Sequence, residues 1–206
     1  MYDEKIGDFL GRLADRVPAP GGGASAALHA AQGAALLGMA ARYSTGEQYA
    51  EHQEAIGRII TEADGLRAIA LRLAEADAQA FAAVADAYRL PRSTEAEKAS
   101  RAAAVAEALG NATWPPAKLI GVAGMVVDLA GALVTMANRN VISDVAAAAE
   151  AARAAAAVAR VNVEINLAGI TDEEASLEMI ADADKADDII ARAERVTAAV
   201  REQIRA

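Results

Sequence analysis

A chain that must fill its interior with alanine has few ways to fold. Apolar residues make up 54% of the 206, yet only 3% are aromatic, and alanine recurs in every long apolar stretch. A methyl group reaches only a short distance, so the backbones must approach closely. Packed helices do this, whereas stacked sheets stand about 10 Å apart. No convincing period-two run interrupts the helical spacing. The expectation is all-α: one domain over residues 1–206, a single helical bundle of six or seven helices with a long central apolar helix.

Charge and composition narrow the function. The net charge of −9 argues against a nucleic-acid partner. With no cysteine, disulfides, thiolate metal sites and cysteine nucleophiles are excluded. The N-terminal stretch MYDEKIGDFLGRLADR lacks the basic start and apolar run of a signal peptide, so a cytoplasmic protein is expected. Leu119 to Met136 carries one charge, Asp128, and is long enough for a membrane span. Its glycines and alanines, its mid-span carboxylate and the prolines before it favour the central helix of a soluble bundle, with no membrane partner.

Turn residues divide the chain. A first helix over about Tyr2 to Ala14 would bury Ile6, Phe9, Leu10 and Leu13. Val17-Pro-Ala-Pro-Gly-Gly-Gly23 breaks it. A second helix runs from about Ala24 to Tyr43, and a third from about Glu47 to Arg89, with a possible break near Gly57 or Gly65. Thr94 to Glu97 has capping-box spacing. Trp114-Pro115-Pro116 should kink or restart the helix that follows. Ser143 or Asp144 can cap the next, which ends at Leu167 and is closed by Gly169. Thr171 to Glu174 offers a second capping box, for a charged outer helix ending near Ile204.

Periodicity singles out one carboxylate. On the third helix Ile56, Ile59, Ala63, Leu66, Ala70, Leu73, Asp77, Phe81, Val84 and Tyr88 follow steps of three or four, which places Asp77 on the inward stripe. Burial disfavours a lone ionised carboxylate and raises its pKa, as acid–base chemistry requires. A buried pair with Lys, Arg or an amide is the alternative. Asp128 poses the same choice. Gly21, Gly22 and Gly23 lead into the second helix, where free N–H groups and the helix dipole favour an anion or a carbonyl; a sharp turn between packed helices is the simpler local reading. Asn162 and Asn166 fall on the inward face of their helix, where amides usually bond to neighbouring backbone. Asp144 and Asn162 lie about 27 Å apart along that helix, too far to share one small substrate. His29 and His52 form no metal pattern, and no metal site is expected.

Four blocks, taken in order, carry a likeness. Pro-Gly-Gly-Gly-Ala-Ser-Ala-Ala at 20–27, Asp77-Ala-Gln-Ala-Phe81, Asn138 with Ser143-Asp144, and Asn162-Val-Glu-Ile-Asn166 before Ile170-Thr-Asp172 resemble the C-terminal domain of formiminotransferase–cyclodeaminases. That family includes stand-alone bacterial methenyltetrahydrofolate cyclohydrolases. The resemblance implies an all-helical homodimer acting on a tetrahydrofolate derivative as substrate, with no metal and no cofactor. It implies Asp77 as the catalytic residue, and Gly21, Gly22, Gly23, Asn138, Ser143 and Asp144 as lining the folate pocket. The chain departs from the family pattern at Glu47-Gln48, where basic residues are common, at Ala137 and at Pro115-Pro116-Ala117. Two other readings fit the residues: a related helical enzyme acting on another small amidine-like substrate, or a non-catalytic helical dimer.

Overall fold

The computed structural model describes residues 4–167, 170 and 173–206, the side chains of residues 173 and 175 apart. Its six α-helices are α1 (Ile6–Ala14), α2 (Gly22–Arg42), α3 (Gln53–Arg89), α4 (Glu95–Val134), α5 (Ile142–Leu167) and α6 (Glu173–Arg205). Short 3-10 turns precede α3 (Glu47–His52) and α5 (Arg139–Val141). The described residues contain no strand. Helices α2, α3, α4 and α5 form a four-helix ring: α2 packs on α3 and α5, and α4 closes the ring against the same two. Helix α6 lies outside, across α4 and α5.

Alanine sets the spacing of the ring, as expected. Ala148, Ala152, Ala155 and Ala159 of α5 are fully buried, and Ala27, Ala30 and Ala34 of α2 are buried in the same core. At the closest approach even a methyl group is too large. A Cβ on Gly33 would lie 2.9 Å from the carbonyl oxygen of Ala148. Leu37, Ile56, Leu119, Ile120 and Leu133 fill the wider gaps, each contributing about 1.5–3 kcal/mol.

Helix α4 runs through Pro115 and Pro116 as one α-helix, without the restart that was one of the two outcomes expected there. Pro116 has no N–H for the carbonyl of Ala112, four residues earlier. The Asn166 side chain supplies the donor from α5, Nδ2 to O at 3.1 Å. The inward amide is therefore structural, as its position suggested. Thr94 begins α4 with the expected capping box: the Glu97 N–H donates to Thr94 Oγ1 at 3.2 Å, and the Thr94 N–H donates to Glu97 Oε2 at 2.9 Å. The apolar half of α4 is a core helix, its Leu119, Ile120, Val126, Val127 and Leu133 buried. Among the described residues α4 alone is long and apolar enough to cross a membrane, and most of its apolar stretch is buried within the protein.

Several expectations need correction. Helix α3 has no break at Gly57 or Gly65, because both glycines face open space and nothing there demands a bend. In α1 only Phe9 is buried, while Ile6 is 78% and Leu10 53% exposed; the three line an open groove with Leu28 and Gln32 of α2 and Leu71 of α3 rather than a packed stripe. Asp128 lies on the surface and pairs with Arg192 of α6, so it does not repeat the situation of Asp77. Ser143 and Asp144 lie inside the first turn of α5. Asn138 caps the 3-10 turn Arg139–Val141 that precedes α5, accepting from the Asn140 N–H at 3.0 Å. Gly169 and the Thr171 capping box lie outside the described residues.

Candidate active site

Helix α2 begins two residues earlier than expected, inside the glycine run. Its N-cap is Gly21, which has no side chain to offer the first turn. The first bond within the helix is donated by the Ser25 N–H to Gly21 O at 3.1 Å, so the N–H groups of Gly22, Gly23 and Ala24 precede it. Asp77 of α3 supplies what the N-cap lacks: the Ala24 N–H donates to its carboxylate. A side chain 53 positions along the chain thus caps the helix at the place where a local Ser or Asp would.

The contact explains why residue 23 is glycine. A Cβ there would fall 2.5 Å from Asp77 Cγ and 2.6 Å from Oδ2, with Oδ1 closer still. Gly23 is buried and Asp77 half-buried. Loss of water pushes the Asp77 carboxyl above the ordinary carboxylate range, and the Ala24 hydrogen bond opposes that rise in part. Asp77 has no cationic partner among the causes of its shift, in contrast to Asp64, which Arg42 holds low. The alternative of a buried salt-bridge pair therefore does not describe Asp77.

The site opens where α2 ends. Beyond Gly22 the ring loses its fourth helix, while α3 continues to Arg89 and α5 to Leu167. Phe81, one turn past Asp77, is 50% exposed, and Tyr88 is 51% exposed. Periodicity placed both in the core; it could not reveal that the covering helix stops short. Across the gap α5 presents Val158 and Asn162, the nearest atoms to a Cβ built on Gly22, at 4.0 and 3.9 Å. The exposed Val161 and Ile165 continue that wall. The start of α2 thus holds one desolvated carboxyl and one carboxamide, with exposed apolar side chains on α3 and α5 beyond it. Such surroundings suit a flat, partly polar ligand.

Asp77 and Gly21 to Gly23 come together as the sequence suggested. Asn138, Ser143 and Asp144 do not join them within one chain. Asn138 sits at the far end of α2, donating from Nδ2 to Tyr43 O at 3.0 Å and from its backbone N–H to Ser44 Oγ at 2.8 Å. About 30 Å of helix separates the two groups. The described residues include no cluster of His, Cys, Asp and Glu able to hold a metal ion.

Fold and site together define a class: an all-helical protein that holds a desolvated carboxyl against a glycine-built helix start. The formiminotransferase-cyclodeaminase family model matches residues 5–185. A methenyltetrahydrofolate cyclohydrolase from Methylorubrum extorquens is 39% identical over 171 residues, 82% of each chain. A formimidoyltransferase-cyclodeaminase from Mus musculus is 34% identical over 84% of this chain, which spans 32% of that longer protein. The crystal structure of a formiminotetrahydrofolate cyclodeaminase from Thermotoga maritima superposes with a TM-score of 0.86, at 28% identity and 98% coverage of both chains. The chain belongs to the formiminotransferase-cyclodeaminase family.

Proposed function

We propose that this protein is a folate one-carbon enzyme that hydrolyses 5,10-methenyltetrahydrofolate, with cyclisation of 5-formiminotetrahydrofolate and loss of ammonia as the second reaction its site can run. The observation that carries this reading is the Asp77 carboxyl, desolvated and seated on Gly23, in a chain of this family. Hydrolysis is placed first because the 39% identical relative of similar length is a cyclohydrolase.

Both reactions pass through a tetrahedral carbon between two nitrogens. In hydrolysis water attacks the cationic bridging carbon, and Asp77 takes one proton from it. The carbinol then sheds its hydroxyl proton to solvent as the carbonyl forms. One C–N bond breaks, and Asp77 returns its proton to the departing nitrogen. In cyclisation one nitrogen attacks the protonated formimino carbon, Asp77 accepts the proton of that nitrogen, and the same proton leaves with ammonia. A carboxyl raised above the ordinary carboxylate range suits both halves of each cycle, and such a group is worth about 10²–10⁴-fold. The Gly22 and Gly23 N–H groups, at the positive end of α2, can receive oxygen charge as it develops.

The protein acts as a homodimer in this reading. The outward face of α2 carries Leu28, Gln32, Ala35, Leu36 and Met39 along open grooves, midway between the Asp77 and Asn138 ends. Two copies paired antiparallel about that face bring the Asn138, Ser143 and Asp144 end of one chain toward the Asp77 end of the other.

The test is the absorbance loss of methenyltetrahydrofolate with purified protein, corrected for spontaneous hydrolysis, beside ammonia release from formiminotetrahydrofolate. Acceleration of neither sinks the proposal. For the paired site, mixing inactive Asp77→Asn with inactive Asp144→Asn chains should restore about a quarter to a half of the activity if subunits exchange and each site draws on both; a monomer in sedimentation would overturn it.

A further inference from the structure

Asn162 is unassigned by the acid–base chemistry, yet it stands at the site. Its Nδ2 lies 3.9 Å from the position of a Cβ on Gly22, while the Asp77 carboxyl covers the next residue, Gly23. Adjacent Cα atoms are about 3.8 Å apart, so amide and carboxyl flank one helical turn within on the order of 10 Å. One Nδ2 proton is used locally, donated to Val158 O at 2.8 Å. That bond orients the amide and leaves a second N–H and the Oδ1 acceptor. Asn162 is only half-buried, and beside it Val158, Val161 and Ile165 form an exposed apolar strip. The neighbouring inward amide, Asn166, is engaged by Ala112; among the described residues Asn162 has no such bond to another helix.

We infer that Asn162 is a substrate-positioning residue that reads the hydrogen-bonding edge of a bicyclic ring lying across Gly22 and Gly23. The inference rests on the folate reading above. The pyrimidine edge of a pterin offers N–H donors beside a carbonyl acceptor, which one carboxamide matches with its oxygen and its free N–H. The edge held by Asn162 directs the opposite side of the ring, with the bridging carbon, toward Asp77. Val158, beside Asn162 at Gly22, gives one ring face apolar contact. Asn162 takes no part in proton transfer and acts by orientation.

The experiment compares wild type, Asn162→Ala and Asn162→Gln on two substrates: methenyltetrahydrofolate, and an imidazolinium with the same bridged N–C–N centre but no pyrimidine ring. Asn162→Ala should raise KM for the folate about tenfold or more with a smaller change in kcat, and leave kcat/KM for the imidazolinium unchanged. Asn162→Gln, which keeps the amide on a longer stem, should recover part of the folate KM. Equal losses on both substrates, or wild-type KM in Asn162→Ala, would overturn the assignment while leaving the folate reading intact. A wild-type protein inactive on the folate overturns both. Melting temperature serves as the folding control, since the Asn162 amide bonds only within its own helix.

Discussion

The Asp77 carboxyl occupies the space that a side chain at residue 23 would need, and Gly23 is thereby fixed by a residue on another helix. The relationship joins two tasks. Asp77 completes the first turn of α2 through the Ala24 N–H, and the same seat removes water from the group that is to move protons.

Gly23→Ala should separate activity from stability. The added methyl displaces the carboxyl, which can swing away because it is the end of a side chain. The helix gains about 1 kcal/mol of intrinsic propensity and loses a cap of similar worth. Melting temperature should therefore move by only a few degrees, while turnover falls about 10²-fold or more. Thermal melts beside steady-state kinetics check both.

Asp77→Asn should fold, retain an acceptor for the Ala24 N–H, and lose about 10²–10⁴-fold in turnover. Its stability has a definite sign with pH. Burial raises the native pKa above the ordinary aspartate value of 3.8, so between that value and the raised one the native state binds more protons than the unfolded state. Wild-type stability accordingly falls as pH rises through this window, and the cost is complete above it. Asn carries no such cost, so the variant should be at least as stable as wild type near neutrality, and the two should converge below about pH 4. Urea melts across pH measure the difference. A variant less stable than wild type at pH 7 and equally so at pH 4 would contradict the assignment of desolvation as the cause.

Catalysis by a base of raised pKa has its own signature. Hydrolysis should decline as pH drops through the native Asp77 pKa, at a pH above that of an ordinary aspartate. A kcat/KM profile flat down to pH 4 would exclude Asp77 as the proton acceptor.

Gly33→Ala provides the contrast with Gly23. Here the added methyl meets the backbone oxygen of Ala148 at 2.9 Å, and backbone cannot rotate aside. The α2–α5 contact must open, at about 1–3 kcal/mol. Chemical denaturation should report a lower midpoint with an unchanged slope.

Asn166→Ala should cost about 1–2 kcal/mol, because the Ala112 carbonyl loses its donor beside Pro116. In a Pro116→Ala background the helix supplies its own N–H, and the penalty for Asn166→Ala should shrink. A double-mutant cycle tests this coupling.

Much of this molecule was legible in its residues, for identifiable reasons. A step of three or four residues carried from Ile56 to Leu73 identified the buried side of α3 and put Asp77 on the same stripe, where the structure finds it half-buried. Thr94 and Glu97 announced their own helix start. Periodicity reports which side of a helix is apolar, not where the neighbouring helix ends, so Val84 was rightly placed inward while Phe81 and Tyr88 were assigned to a core that leaves them half exposed, and Ile6 and Leu10 to a stripe that stays open to solvent. Continuity through Pro115 and Pro116 depended on Asn166, fifty residues away, a partnership no local rule contains. Asn162 was oriented correctly, but its nearness to Gly22 exists only once α2 and α5 have packed.

Helix α2 ends a full three turns before α3 does. Whatever molecule settles over Gly22 therefore stands in for absent polypeptide, touching two walls that otherwise face water. Saturating amounts of it should slow amide exchange in the last turns of α3 and α5, far more than in the alanine-packed middle of the ring.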